Sequence, residues 1–489
     1  MIKHITLMIG VFLCFSAYAQ YDIAVEVDGL TCEDELLLAN HFGDKQYLKD
    51  TSECINGVFH FRGDDKLENG VYLVVLPSKN WIEIIVSENE DQTKYVFKTD
   101  TLLKANELVI KGSKENEIFS TFNRYAKTQG AIAGEIKKGL DAEENDKKKE
   151  KIRQQLIDLT NDVNAERKRL ADENQGTFVS KLYEAMREIE NPGAPEGMED
   201  EDEIKKYEYL WIRDHFWDNV DLSEDGLVRS PVFHSKLKRY FDRYMPPMAD
   251  TAIMLGDTLI NRIERAGSME QYKYTIHFLL GYFEKAKYMC FDKAVWHMAK
   301  NYYCAGKAYW ADSAYVAKMC EESGKMEPTL CEKVAPDMNM PDSTFGRRIR
   351  MSQIQKPVTV VVFWDIDCGH CKKEMPIISQ LYDSLGNEHI EIYAVYTKGD
   401  WEGWKKRIAK EDFKFINVAN AFGEDDYRKD YNIISTPQIY VLDKDKVIRF
   451  KKIGAKDIAA TVQFLLEEQG IVEKAKDEEF DDDGKPAID

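Results

Sequence analysis

The chain has 489 residues, 44% hydrophobic and 11% aromatic, and carries a formal net charge of -20 at pH 7. That length exceeds one compact core and implies two or three domains, while the apolar share excludes a mainly disordered polymer. The acidic balance argues against nucleic acid or an anionic membrane as principal ligand, because both demand a basic face.

Lys3 and His4 precede an apolar run from Ile5 to Phe15, and Ala17-Tyr18-Ala19 places small residues where a signal peptidase reads. This is the layout of a secretory signal over 1–19, cleaved after Ala19. The run is shorter than the ~20 residues of a spanning helix. Cys14 sits behind bulky Val11, Phe12 and Leu13, unlike a lipidation site. No later stretch is long and apolar enough to span, so the expectation is a periplasmic chain without a membrane span once the signal is cleaved. Of nine cysteines, those left after cleavage are too scattered for a dense disulfide scaffold.

Residues 20–112 read as a small all-β, sandwich-like domain. Ile23, Val25 and Val27 alternate with polar residues, Asn56-Gly57 and Asn69-Gly70 punctuate short strands, and Trp81 to Val86 and Tyr95 to Lys98 continue the rhythm. Cys32 and Cys54 fall at loop positions that such a sandwich brings within disulfide range, the alternative being two free thiols. No catalytic constellation occurs here, so the expected role is binding or spacing.

Residues 113–333 read as an α-helical domain. Ile152, Leu156, Leu159, Val163 and Leu170 recur at steps of four and three, which gives an amphipathic helix that packs within its own domain or forms a short coiled coil. Self-association through this domain is one expectation. The acidic run from Met198 to Glu203 reads as a solvated loop, and Met245-Pro246-Pro247-Met248 as a break between helices. The cluster Tyr207, Tyr209, Trp211, Phe216 and Trp217 is expected to pack a core rather than line a groove. His215, His234, His277 and His297 lack ligand spacing, and no metal or cofactor is expected.

The last domain is α/β and spans 334–470, followed by a disordered acidic tail over 471–489. Val358 to Trp364 is a continuous apolar run, as in a strand buried on both faces. A helix from Cys371 to Leu385, a strand from Ile390 to Val395, a hairpin of Ile439–Leu442 with Val447–Phe450, and a helix over Ile458–Glu467 complete it.

Cys368-Gly369-His370-Cys371 lies between the buried strand and the helix. A thiolate at a helix N-terminus is stabilised by the dipole and by free backbone N–H groups. Cys368 would therefore attack a substrate sulfur, and Cys371, one turn inside, would resolve the mixed disulfide. Gly369 allows a tight turn and His370 places a charge or hydrogen bond beside the thiolate. Structural zinc would need a second ligand pair, and a purely structural bridge would close too short a loop to stabilise much. The other reading is a non-catalytic partner-binding protein that uses this domain for docking.

Phe363-Trp364, the Cys-Gly-His-Cys run, Lys372, Pro376 and Thr436-Pro437 together resemble the thioredoxin superfamily, and more closely its exported bacterial thiol–disulfide interchange proteins. The resemblance implies a thioredoxin-like fold over 334–470 and a cis bond before Pro437. It also implies a substrate groove at Trp364, Gly369, Thr436 and Pro437, with protein thiols or disulfides as partners beside an upstream electron donor or acceptor. Cys-x-x-Cys-x-x-Glu-x-Pro looks like the exported branch and places Glu374 near the pair, either as a proton acceptor for Cys371 in place of the buried aspartate whose position Val362 takes, or as a surface charge on an exposed helix. Gly-His is the middle dipeptide of protein disulfide isomerases, and members with Gly-His or Gly-Pro there sit at roughly -180 and -270 mV. His370 and Glu374 are thus the expected redox-tuning residues. Peroxidase chemistry would need a threonine where Asp365 stands.

Overall fold

The computed structural model describes residues 19–102, 108–385 and 388–473. The expected signal peptide lies outside the described residues except for Ala19, and so does the acidic tail beyond 473.

Alternation dictates the first layer. In β1 (Tyr21–Asp28), Ile23, Val25 and Val27 are buried and their neighbours face outward. There follow β2 (Leu37–Phe42), β3 (Lys45–Thr51), β4 (Glu53–Ile55), β5 (Val58–Gly63), β6 (Gly70–Val75), β7 (Trp81–Val86), β8 (Val96–Asp100) and β9 (Val109–Lys111). They form two sheets, ordered β4-β5-β1-β8-β9 and β3-β2-β6-β7. Ile23, Val25, Phe59, Phe61, Val74, Ile84 and Phe97 fill the core between them. Asn56 and Gly57 both adopt positive φ, 53° and 84°, and turn β4 into β5. Gly70 does not turn the chain. It opens β6, where a Cβ would come within 2.7 Å of the Arg229 Cβ. Cys32 and Cys54 form a disulfide, Cys54 lying in β4 rather than a loop.

The helical region begins with α1 (Lys114–Ala142) and α2 (Asp146–Glu173), which pack on each other. The stripe Ile152, Leu156, Leu159, Val163 and Leu170 is half-buried along α2. After α3 (Phe178–Met186), the acidic run expected as a loop instead opens α4 (Glu201–His215). The Asp200 carboxylate accepts the N–H groups of Asp202 and Glu203 at 2.9 Å, and Glu201, Asp202 and Glu203 occupy the first turn, where the helix dipole favours negative charge. In α5 (Pro231–Tyr244), Tyr240 and Tyr244 pack on Phe216, and Tyr240 also meets Trp217, so this part of the aromatic cluster is core. Residues 245–248 separate α5 from α6 (Ala249–Ala266); α7 (Met269–Lys285), α8 (Asp292–Met298) and α9 (Ser313–Met326) follow. Compactness divides the chain into one unit of Met1–Tyr244 with Thr258–Thr275 and another of Met245–Asp257 with Ile276–Asp489, so the residues read as one helical domain contribute to both.

The second unit holds the α/β domain. A ribbon of β10 (Asn339–Pro341) and β11 (Arg348–Arg350) precedes β12 (Val358–Trp364), α10 (Gly369–Leu385), β13 (Ile390–Tyr396), α11 (Trp401–Glu411), β14 (Ile416–Ala419), α12 (Tyr427–Asp430), β15 (Gln438–Leu442), β16 (Ile448–Lys451) and α13 (Ile458–Glu468). The sheet order is β14-β13-β12-β15-β16, with β12, β13 and β14 mutually parallel and β15 and β16 antiparallel. Every residue of β12 is buried. Val358, Val360, Val362 and Trp364 join one core with Met375, Ile378 and Val462, while Val361 and Phe363 join the other with Tyr427, Tyr431 and Tyr440. Disulfides join Cys290 to Cys331 and Cys304 to Cys320. The protein is thus multidomain: an all-β N-terminal part, a helical middle and a thioredoxin-like α/β C-terminal domain. Among the described residues no helix is long and apolar enough to cross a membrane.

Lys236 on α5 is 5% exposed. Its ammonium donates to Arg187 O at 3.2 Å and lies 4.9 Å from the Phe216 ring centre. Burial pulls its pKa down from 10.5 to about 8. The folded chain therefore releases this proton before the unfolded chain does, and its contribution to stability rises with pH between about 8 and 10.5. Lys236→Met should flatten that rise, which denaturant midpoints of both proteins at pH 8 and pH 10 will show.

Candidate active site

The buried strand β12 ends at Trp364, and α10 starts five residues later. Cys368 occupies the N-cap position. Its sulfur accepts the Cys371 backbone N–H at 3.2 Å, as the oxygen of a capping serine or aspartate would. In the thiol form its S–H donates to the Thr436 carbonyl at 3.1 Å. The Thr436–Pro437 bond is cis, as the family resemblance implies. Cys368 is partly exposed and Cys371 is buried, and both are free thiols.

Environment separates the two sulfurs. Burial pushes the Cys368 thiol up, but hydrogen bonds from the Cys371 thiol and N–H, the Thr436 hydroxyl and the His370 N–H outweigh it and hold the group below the ordinary 9.0. Burial, followed by its hydrogen bond to Cys368, pushes Cys371 up to about 12. The partly exposed sulfur therefore ionises before the buried one. This arrangement supplies one ready nucleophile with a second thiol directly behind it.

The remaining predicted residues fall in different places. His370 is exposed in the first turn of α10. Gly369 is exposed too, has no positive φ, and a Cβ there would meet nothing within 4 Å. The backbone thus does not demand glycine, and its effect is to leave the approach to Cys368 open. Glu374 is partly buried, and its carboxylate accepts the Ala455 N–H at 2.6 Å. Thr436 and Pro437 stand beside the pair, partly exposed. Trp364 does not line a groove. It is 1% exposed and packs edge-on against Tyr396 and Phe413, because even-numbered residues of β12 point into the core beneath α10.

Asp365, in the sequence only a departure from the peroxidase pattern, has a structural role. Asp365 is 6% exposed, accepts the Asp367 N–H at 2.9 Å, and has the Lys398 ammonium 3.7 Å away. The signal available was Asp-x-Asp directly after a strand, a pattern in which the first carboxylate binds the backbone two residues on.

A free thiol capping a helix after the central parallel strand, facing a cis-proline loop, defines a thioredoxin-like redox domain. The model of the AhpC/TSA family matches residues 331–451. Over 126 residues the chain is 30% identical to the thiol-disulfide oxidoreductase ResA of Bacillus thuringiensis subsp. konkukian (strain 97-27), covering 26% of this chain and 71% of that protein. A solved domain of a possible thiol-disulfide isomerase from Cytophaga hutchinsonii ATCC 33406 is 31% identical, covers 30% of this chain and 99% of that one, and has a TM-score of 0.28. The chain belongs, through its C-terminal domain, to the thiol–disulfide oxidoreductases of the thioredoxin superfamily.

Alkylation of the reduced protein followed against pH should label Cys368 with an inflection below 9.0, the ordinary thiol value. Cys371 should stay unlabelled through that range. Equal labelling, read by peptide mass spectrometry, would show that the two environments do not differ.

Proposed function

We propose that this protein is an exported oxidoreductase that exchanges disulfides with client proteins through Cys368-Gly369-His370-Cys371. The observation that carries the reading is the capping contact: an exposed sulfur held by the Cys371 N–H at 3.2 Å, with the buried Cys371 thiol behind it. The Cys368 thiolate attacks a client disulfide, one client thiolate leaves, and a mixed disulfide forms. Cys371 then gives up its proton and attacks Cys368, releasing the second client thiolate and leaving the Cys368–Cys371 disulfide. In the opposite direction the same steps run in reverse, and an upstream donor or acceptor resets the pair.

In this reading Glu374, one turn beyond Cys371 on the same helix and anchored by Ala455, takes the Cys371 proton. The Thr436 and Pro437 segment offers its backbone to an extended client peptide. Periplasmic location after loss of residues 1–19 is supported by the three disulfides, since cytosolic thiols stay reduced.

Cys371→Ala should accumulate mixed disulfides with client proteins, and Cys368→Ala should not. Non-reducing gels of cells producing each variant test this, and an absence of adducts in both would sink the exchange reading.

His370, beside the thiolate at the dipole's positive end, stabilises the reduced form, which makes the disulfide the stronger oxidant. His370→Pro should therefore lower the reduction potential, by about 30 mV for ~1.4 kcal/mol. Redox titration against a dithiol buffer measures it, and an unchanged potential would leave His370 without a redox role.

A further inference from the structure

Asp365 serves both halves of the cysteine pair. Its backbone N–H donates to the Cys371 sulfur, where it works against the burial that raises that thiol. Its side chain begins the turn that delivers Cys368: one carboxylate oxygen accepts the Asp367 N–H at 2.9 Å, and the residue after Asp367 is the nucleophile. An aspartate bonded to the backbone two residues on closes a small ring, which holds the loop between β12 and α10 before the helix begins.

The other carboxylate oxygen lies 3.7 Å from the Lys398 ammonium. Lys398 is set in turn by its neighbour. The Thr397 N–H and hydroxyl both donate to Trp364 O at 3.0 Å, and Arg428 donates to Thr397 O. Lys398 and Arg428 line one cavity at the carboxyl ends of β13 and β14, so these segments brace the carboxylate from the side. Asp365 is 6% exposed, and an acid is kept at that depth only where it is bonded.

A carboxylate in this place can act on Cys368 in two ways of opposite sign. As a charge it disfavours the thiolate, and Asp367 and Asp400 add to the acidity around the loop. As a bond it favours the thiolate. Burial raises the Cys368 thiol, and the groups that outweigh it are hydrogen bonds from Cys371, Thr436 and His370, each dependent on where the loop sets the sulfur. The thiol is held below 9.0 in spite of its acidic neighbours, so the bonds prevail.

We propose that Asp365 is a positioning residue for the exchange: through the Asp367 N–H it fixes the loop that sets Cys368 against the Cys371 N–H, and this bond outweighs its charge. Asp365 touches no substrate. The inference rests on the reading that Cys368 is the attacking thiol.

The pH dependence of Cys368 alkylation in the reduced full chain separates bond from charge. Asp365→Asn keeps an oxygen that accepts the Asp367 N–H and drops the charge; Asp365→Ser keeps a weaker acceptor, and Asp365→Ala keeps none. Asp365→Asn should leave the Cys368 inflection where the wild type has it, and Asp365→Ser should raise it slightly. Asp365→Ala should raise it further, lowering the thiolate fraction at neutral pH about fivefold, the factor of one hydrogen bond. Cys371 stays unlabelled in a folded variant; should Asp365→Ala lose that protection, the Asn and Ser variants decide. An inflection that falls in Asp365→Asn overturns the proposal in favour of charge. One that rises in Asp365→Asn as far as in Asp365→Ala overturns it too, as does one unchanged in every variant. None of these results bears on the exchange reading, because alkylation needs no client. Oxidation of the wild type by glutathione disulfide tests that reading separately: two electrons leave the dithiol, the Cys368–Cys371 bond forms and two glutathione thiols are released. No oxidation there sinks the exchange and leaves the alkylation series intact.

Discussion

The backbone N–H of Cys371, 3.2 Å from the Cys368 sulfur, is the contact on which the chemistry of the domain depends. It places a sulfur where helices ordinarily keep a capping oxygen, so the positive end of α10 bears on a thiol held below its ordinary 9.0. The same contact fixes the order of the two thiols. The capping residue lies outside the helix and is partly exposed, while the residue three positions on lies within the first turn and is buried against the core beneath α10. In the proposed exchange this order makes Cys368 the attacking thiol and Cys371 the resolving one.

That geometry needs a rigid base, which β12 supplies. All seven of its residues are buried, alternate ones in different cores. A strand clamped from both faces leaves its carboxyl end no freedom to drift, and the loop from Asp365 to Cys368 is held further by the Asp365 carboxylate on the Asp367 N–H. From the far side the Thr436 carbonyl closes on Cys368. Two segments 68 residues apart thus converge on one sulfur.

Among the described residues, the rest of the chain carries no comparable constellation. Its three bridges, Cys32–Cys54, Cys290–Cys331 and Cys304–Cys320, use every described cysteine except the reactive pair. This separation matters chemically, because a reactive thiolate exchanges with any accessible neighbouring thiol. With the other sulfurs tied up, Cys368 has Cys371 as its thiol partner within the described chain.

The sequence by itself determined what is local. The run from Val358 to Trp364, apolar but for Thr359, reads as a strand covered on both faces, and the four residues from Cys368 to Cys371 at the start of the next helix mark the candidate redox site. The hairpin of β15 and β16 and the Asn56-Gly57 turn were legible for the same reason, since period and turn chemistry act between near neighbours. Tertiary structure decided what depends on distant partners. It sent Trp364 into the core rather than a groove, because strand parity and not residue type chooses the face. It turned the acidic run near Asp200 into a helix start, since a cap is recognised only once the helix behind it exists. It paired Cys290 with Cys331 across 41 residues, and it brought Lys398 and Arg428 from separate segments to one cavity. Proximity of that kind comes from packing, which no local pattern encodes.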